Sequence, residues 1–124
     1  MMINAEITDK IIAAALRIHS ALGPGLLESA YREFLFYELE LDGWSVEKEK
    51  PLPVVYRGKR IDHGYRLDIL VQNTVVVELK TVETLLRIHQ QQLLTYLRLG
   101  NFKTGLLINF HATHLKDGLK RISN

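Results

Sequence analysis

Cysteine is absent from the 124 residues. That excludes disulfides and thiolate zinc centres, and it leaves oxygen and histidine as the donors for any metal. The absence fits a reducing compartment, so a cytoplasmic location is expected. Long apolar runs are missing too. The longest, residues 11–16, falls far short of the roughly 20 residues that span a bilayer, so no membrane contact is expected. The N-terminal stretch Met1-Met2-Ile3-Asn4-Ala5-Glu6 has no basic region ahead of an apolar one, and no secretory leader is expected. Charge of one sign is scarce: 16 Lys and Arg stand against 14 Asp and Glu, a formal net charge of +2. So mild a balance does not by itself predict nucleic-acid binding. It is compatible with binding if the acids gather in a site and the bases lie around it. There is no internal repeat, low-complexity tract or linker, and the length predicts a single domain over residues 1–124. What is plentiful is ordinary: 47% apolar and 24% charged residues, enough for a soluble globular core without metals or cross-links.

Along residues 7–22, Ile7, Ile11, Ala14, Ala15, Ile18 and Leu22 fall on one face of a helix. Gly23-Pro24-Gly25 breaks it, because proline blocks continuation and glycine tolerates the turn. A second helical pattern through Leu27, Ala30, Tyr31, Phe34 and Leu41 stops near Asp42-Gly43. Residues 46–50 then alternate weakly, and Pro51 and Pro53 suit an irregular or edge strand, which Val54-Val55-Tyr56 continues. Arg57-Gly58-Lys59-Arg60 reads as a polar turn, residues 61–71 as a longer strand, and residues 74–80 as a short β-branched central strand. Helical spacing returns over residues 85–99 and ends at Gly100-Asn101. Residues 104–110 form a last apolar strand, and the tail from Leu115 suits helix or strand equally. Helix, helix, three strands, helix, strand predicts an α/β fold, a mixed sheet flanked by helices.

The chemistry lies in Tyr65-Arg66-Leu67-Asp68-Ile69-Leu70-Val71 and Val75-Val76-Val77-Glu78-Leu79-Lys80. Alternation puts Glu78 and Lys80 on one face of their strand. Ionisable groups there are costly unless paired or metal-bound. If the strands form a hairpin, loop parity decides the outcome. A two-residue loop at Gln72-Asn73 opposes Asp68 to Val77 and turns it away, whereas an odd loop such as Gln72-Asn73-Thr74, or a bulge, brings the carboxylates together. Two carboxylates suit Mg²⁺ or Mn²⁺, hard cations that take oxygen ligands and keep waters. A lysine beside them can orient an attacking water and stabilise charge on a scissile phosphate.

Asp68, nine intervening residues and Glu78-Leu79-Lys80 resemble the PD-(D/E)xK nuclease superfamily, whose restriction-endonuclease-like core runs helix, three strands, helix, strand. Gly25-Leu26-Leu27-Glu28-Ser29-Ala30-Tyr31 is similar to the GxxExxY signature of one small branch. Gln92-Leu93-Leu94-Thr95-Tyr96 is similar to the QxxxY motif on the following helix of exonuclease-like branches. Three motifs in order, over about residues 7–122, make the likeness specific where a lone D…ExK is weak. The one departure is Leu67 in place of the proline before the first acid. The resemblance implies a metal held by Asp68, Glu78, the Leu79 backbone carbonyl and Glu28, with Asp68, Glu78, Lys80 and Glu28 catalytic. Gln92, Tyr96 and His89 would line the site and touch substrate. The implied ligand is nucleic acid, DNA first, in repair, recombination or defence. With no separate recognition domain, a homodimer or partner subunit would widen the footprint.

A plainer account stands beside each assignment. Asp68 with Arg66 and Glu78 with Lys80 would make a structural salt-bridge ladder. Glu28 would favour its helix N-terminus through the dipole. Gln92 and Tyr96 would be a hydrogen-bonded pair, Tyr31 core, and His111 and His114 loop residues lacking a third ligand. The bases Arg57, Lys59, Arg60, Lys116, Lys120 and Arg121 matter only at the rim of the acidic site. The alternative function is a non-catalytic module binding nucleic acid or protein on the same fold.

Overall fold

The computed structural model describes residues 4–124. Met1, Met2 and Ile3, the front of the stretch considered for a leader, lie outside the described residues. Helix α1 spans Ala5–Leu22 and buries Ile11, Ala14, Ala15 and Ile18, the stripe its spacing predicts. Helix α2 spans Glu28–Leu41 and buries Tyr31, Leu35 and Leu39. Full burial of each such side chain stabilises by about 1.5–3 kcal/mol. The strands are β1 (Val46–Pro51), β2 (Val54–Tyr56), β3 (Lys59–Ile61), β4 (Arg66–Val71), β5 (Val75–Lys80), β6 (Thr104–Asn109) and β7 (Leu119–Ser123), with helix α3 (Arg87–Gly100) between β5 and β6.

Five strands form one mixed sheet in the order β1-β4-β5-β6-β7. β1, β4 and β5 run antiparallel, β6 lies parallel to β5 through the α3 crossover, and β7 closes the far edge antiparallel. On one face Ile69, Val71, Val75, Val77, Leu79, Leu106 and Ile108 pack under α1 and α2. On the other, Leu70, Val76 and Leu107 pack under Leu93, Tyr96 and Leu97 of α3. α3 comes so close that a Cβ at Gly105 would lie 3.1 Å from Leu93. This is the expected α/β architecture, a mixed sheet flanked by helices and consistent with a restriction-endonuclease-like fold. Among the described residues no helix is long and apolar enough to cross a membrane.

Three segments differ from expectation. Val54–Tyr56 does not continue β1; it pairs with β3 as a separate ribbon, because Pro51 and Pro53 interrupt the ladder between them. The strand expected over residues 61–71 breaks at Asp62-His63-Gly64-Tyr65, with Gly64 at φ 100°. The ambiguous tail becomes a 3-10 turn at Leu115–Gly118 followed by β7.

Candidate functional site

The loop joining β4 to β5 has three residues, since Val71 pairs with Val75. Gln72 and Asn73 both take the left-handed conformation, at φ 54° and 51°. Asn accepts that region readily and Gln does not. Gln72 is held there from both ends: its N–H donates to the Ser45 carbonyl (2.7 Å) and its Oε1 accepts from the Ser45 N–H (2.7 Å). The odd loop pairs Ile69 with Val77 and so leads Asp68 toward Glu78.

At that point the backbone ladder stops, at Ile69 with Val77. Side chains take over. The Asp68 N–H donates to Glu78 Oε1 (3.3 Å), and the Leu79 N–H donates to Asp68 Oδ2 (2.9 Å). Each carboxylate therefore satisfies an amide of the neighbouring strand, in a gap where a lone N–H would be costly. The two acids are 7% and 6% exposed. Burial first, and then the Asp68 charge, push the Glu78 carboxyl up to about 8, against the pull of Lys80 and of the Asp68 N–H.

Lys80 leaves β5 on the same side as Glu78, and its Nζ donates to Gln92 Oε1 (3.5 Å). Gln92 Nε2 donates in turn to the Tyr96 hydroxyl (3.1 Å) one turn along α3. Burial and the Glu78 charge raise the Tyr96 phenol, which ties α3 electrostatically to the acids. His89 caps the helix, its Nδ1 accepting from the Leu86 N–H (2.9 Å). Tyr65, Ile88, His89, Gln92, Thr95 and Tyr96 line an open cleft of about 650 Å³. The stripe of His89, Gln92 and Tyr96 thus faces a cleft beside Lys80.

Glu28 is the first residue of α2 and half-buried. Burial, then the Asp68 charge, raise its carboxyl, while Lys80, Arg32 and Arg66 oppose the shift. Tyr31, the last position of the same motif, is core. Its hydroxyl donates to the Gly23 carbonyl and accepts from the Leu26 N–H (3.1 Å), and its ring stacks on Phe110 at 4.4 Å. The motif's tyrosine fastens the turn that delivers its glutamate. His111 and His114 follow β6, with His111 Nδ1 3.3 Å from the Pro24 carbonyl oxygen.

Four side chains at the site escaped the sequence reading. Arg32 is 8% exposed, with Nη2 3.0 Å from Glu49 Oε1 and Nη1 3.9 Å from Asp68 Oδ1. Among the described residues its Nε has no hydrogen-bond partner. Glu49 also pairs with Arg66 (3.0 Å) and reaches both guanidinium groups from a left-handed backbone, φ 52°. Asn109, opposite Lys80 in the parallel pair, clasps Val82 through both of its side-chain atoms (3.1 and 2.7 Å), fixing the chain as it leaves Lys80. Tyr65 meets Tyr96 edge to face at 6.5 Å. Spacing would have found Arg32, since it lies one helical turn beyond Glu28 on the same face.

The donor chemistry fits a hard divalent cation. Asp68 and Glu78 offer carboxylate oxygens with neither thiolate nor imidazole, and Mg²⁺ held by one or two carboxylates keeps waters in its remaining places. Among the described residues no three Asp, Glu, His or Cys side chains form a ready-made metal cage, so main-chain oxygen and water would complete the shell. The model of one protein family, the PD-(D/E)XK nuclease superfamily, matches residues 5–122. No curated protein and no solved structure matches the chain.

Proposed function

The chain belongs to the PD-(D/E)XK nuclease superfamily, whose members generally hydrolyse phosphodiester bonds, and on that premise we propose that it is a Mg²⁺- or Mn²⁺-dependent nuclease cutting DNA at Asp68, Glu78 and Lys80. In this reading residues 1–124 form one domain of the GxxExxY branch, acting in the cytoplasm in repair, recombination or defence. A second copy or a partner subunit would widen its footprint. The observation that carries the reading is the pair of buried carboxylates, each bonded to the other's strand, beside a single lysine tethered to Gln92.

Asp68 and Glu78 would hold the cation, with the Leu79 carbonyl beside them and Glu28 adding negative charge from α2. When bound, the metal supplies Lewis-acid stabilisation to a phosphoryl oxygen and acidifies water. Lys80 would orient the attacking water and take up charge developing on the phosphate, while Gln92 restricts where its ammonium can stand. Tyr96, His89 and Gln92 would position the substrate strand in the cleft.

Melting curves of wild type and Glu78→Gln, with chelator and with Mn²⁺, test the reading. Saturating metal at a hundredfold excess over its dissociation constant should stabilise the wild type by about 2.7 kcal/mol and leave the variant unchanged. Without metal the variant should be the more stable, because the amide oxygen still accepts the Asp68 N–H while the repulsion with Asp68 is gone. The direction with pH follows from the raised carboxyl. Glu78 ionises near 4.5 unfolded and near 8 folded, so the native state holds an extra proton between those values and the wild type loses stability as pH rises through them. The gap in favour of Glu78→Gln should widen from pH 4.5 to about 8 and stay constant above.

Metal affinity should climb over the same interval, by up to roughly tenfold per pH unit if one proton is displaced per ion, and level off above it. Isothermal titration in buffers of different ionisation enthalpy would count that proton. A structural salt-bridge ladder predicts the opposite, a variant that melts earlier and a wild type indifferent to Mn²⁺. That result would favour a module that binds nucleic acid or protein without cutting.

A further inference from the structure

The ribbon of β2 and β3 takes no part in the site, yet it holds the chain's charge imbalance. Between Val54 and Asp62, Arg57, Lys59 and Arg60 stand against one acid, leaving +2, which equals the formal net charge of the whole chain. The rest of the sequence balances to zero. Among the described residues the two strands pair only with each other, and every residue from Val55 to Ile61 is exposed. Its tip, Arg57-Gly58, has φ of 49° and 86°, the two positive values of a tight two-residue hairpin turn. Glycine meets that demand and Arg57 does so against its preference, with its side chain projecting at the end of the ribbon.

An isolated two-stranded hairpin is marginal in water, and this one also leaves Val55 at 54%, Tyr56 at 71% and Ile61 at 47% exposure. The register puts Val54, Tyr56, Lys59 and Ile61 on one face and Val55 with Arg60 on the other. Arg60 pairs with Asp62; among the described residues Arg57 and Lys59 form no ion pair. Cations interleaved with an aromatic and β-branched side chains on an uncovered ribbon suit phosphates flanking a groove. A two-stranded β-ribbon is one of the elements that the major groove, about 12 Å wide, admits.

Position agrees with composition. The foot of the ribbon is pinned at Tyr65, whose carbonyl accepts from the Leu52 N–H (2.9 Å) and whose ring meets Tyr96. Arg60 and Lys59 precede Asp68 by eight and nine residues, reaches of at most about 29 and 32 Å. One turn of B-form duplex is about 34 Å, so ribbon and acids can address the same turn.

We infer that the β2–β3 ribbon is a duplex-binding arm, entering a groove of double-stranded nucleic acid with Arg57, Lys59 and Arg60 on phosphates and Tyr56 against sugars and base edges. It holds the duplex within one turn of the acidic pair. The inference rests on the nuclease reading for its ligand class and deepens it by naming a double-stranded substrate.

The test measures binding rather than cleavage. A fluorescent duplex of about two helical turns is titrated in chelator over about 50–200 mM salt, with wild type, Arg57→Gln/Lys59→Gln/Arg60→Gln, and Tyr56→Ala. Each phosphate contact contributes about 0.9 to the log–log salt slope, so the triple variant should flatten it by about 2.7. Tyr56→Ala should lower affinity with the slope unchanged. Both should melt like wild type and keep its response to Mn²⁺, since every replaced side chain is exposed. An unchanged slope overturns the inference, as does a wild type that binds single strands but no duplex. So does a triple variant that turns from dimer to monomer, which would make the ribbon an interface between copies. Ribbon-dependent duplex binding in a protein that cuts nothing would uphold the arm and sink the nuclease reading alone.

Discussion

Lys80→Ala is expected to lower single-turnover cleavage by about 10²–10³-fold, the usual cost of removing one donor aimed at developing charge, while the melting temperature stays close to wild type. Lys80 is only half-buried and among the described residues its one side-chain hydrogen bond is the 3.5 Å contact to Gln92, so the fold leans on its ammonium little. Its electrostatic reach is larger: it opposes the upward shifts of both Glu78 and Glu28. Removing the ammonium takes a positive charge from beside the cation and raises Glu78 further. Well above pH 8, where Glu78 is ionised, the variant should bind Mn²⁺ more tightly than wild type; near neutrality proton competition offsets the gain. Slow cleavage combined with metal affinity retained or improved at high pH is the expected pattern. Activity near wild type would remove Lys80 from the chemistry, and a parallel collapse in melting would make it structural.

The largest stability effect belongs to Arg32. Its guanidinium is nine-tenths buried and stands between Glu49 and Asp68, so truncation leaves buried negative charge uncompensated. Breaking such a pair from one side costs about 3–5 kcal/mol, a fall in Tm of roughly 10–20 °C for a chain of this length. Arg32→Ala should therefore melt far earlier in chelator. Saturating Mn²⁺ should recover part of the loss, because a cation at Asp68 and Glu78 replaces some of the missing positive charge. Arg32→Lys, keeping the charge without the fork, should fall between. A loss in chelator below about 1 kcal/mol would put the pair in the class of exposed ion bridges and show that desolvation of the guanidinium cancels its attraction.

Residue patterns announced much of this architecture. The stripe of Ile11, Ala14, Ala15 and Ile18 fixed the inner face of α1, and alternation in β5 set Glu78 and Lys80 to one side. Whether Asp68 joined them depended on loop parity, which composition does not encode. Asn73 suits a left-handed position in a two- or a three-residue loop alike, and the contact that selects three is the grip of Ser45 on Gln72, a pairing across 27 residues. Arg32 and Glu49 were hidden for a similar reason. A charge inside a helical pattern reads as solvated until the neighbouring strand is in place, and nothing in Glu47-Lys48-Glu49-Lys50 marks the third residue for φ 52°. The ribbon was misjoined because Val54-Val55-Tyr56 has the same β-branched and aromatic character as an edge strand of the main sheet. The prolines before it carried the break, and the direction taken afterwards is a tertiary matter.

The seam between β4 and β5 has a kinetic side as well. Amides within a ladder exchange their hydrogens when strands part. Those of Asp68 and Leu79 are instead sheltered by carboxylate oxygens, so each is released when one side chain turns away, with the sheet still closed. Deuterium uptake at these two backbone positions is thus geared to the occupancy of a carboxylate oxygen rather than to unfolding, and the acidic pair carries its own clock in the main chain beside it.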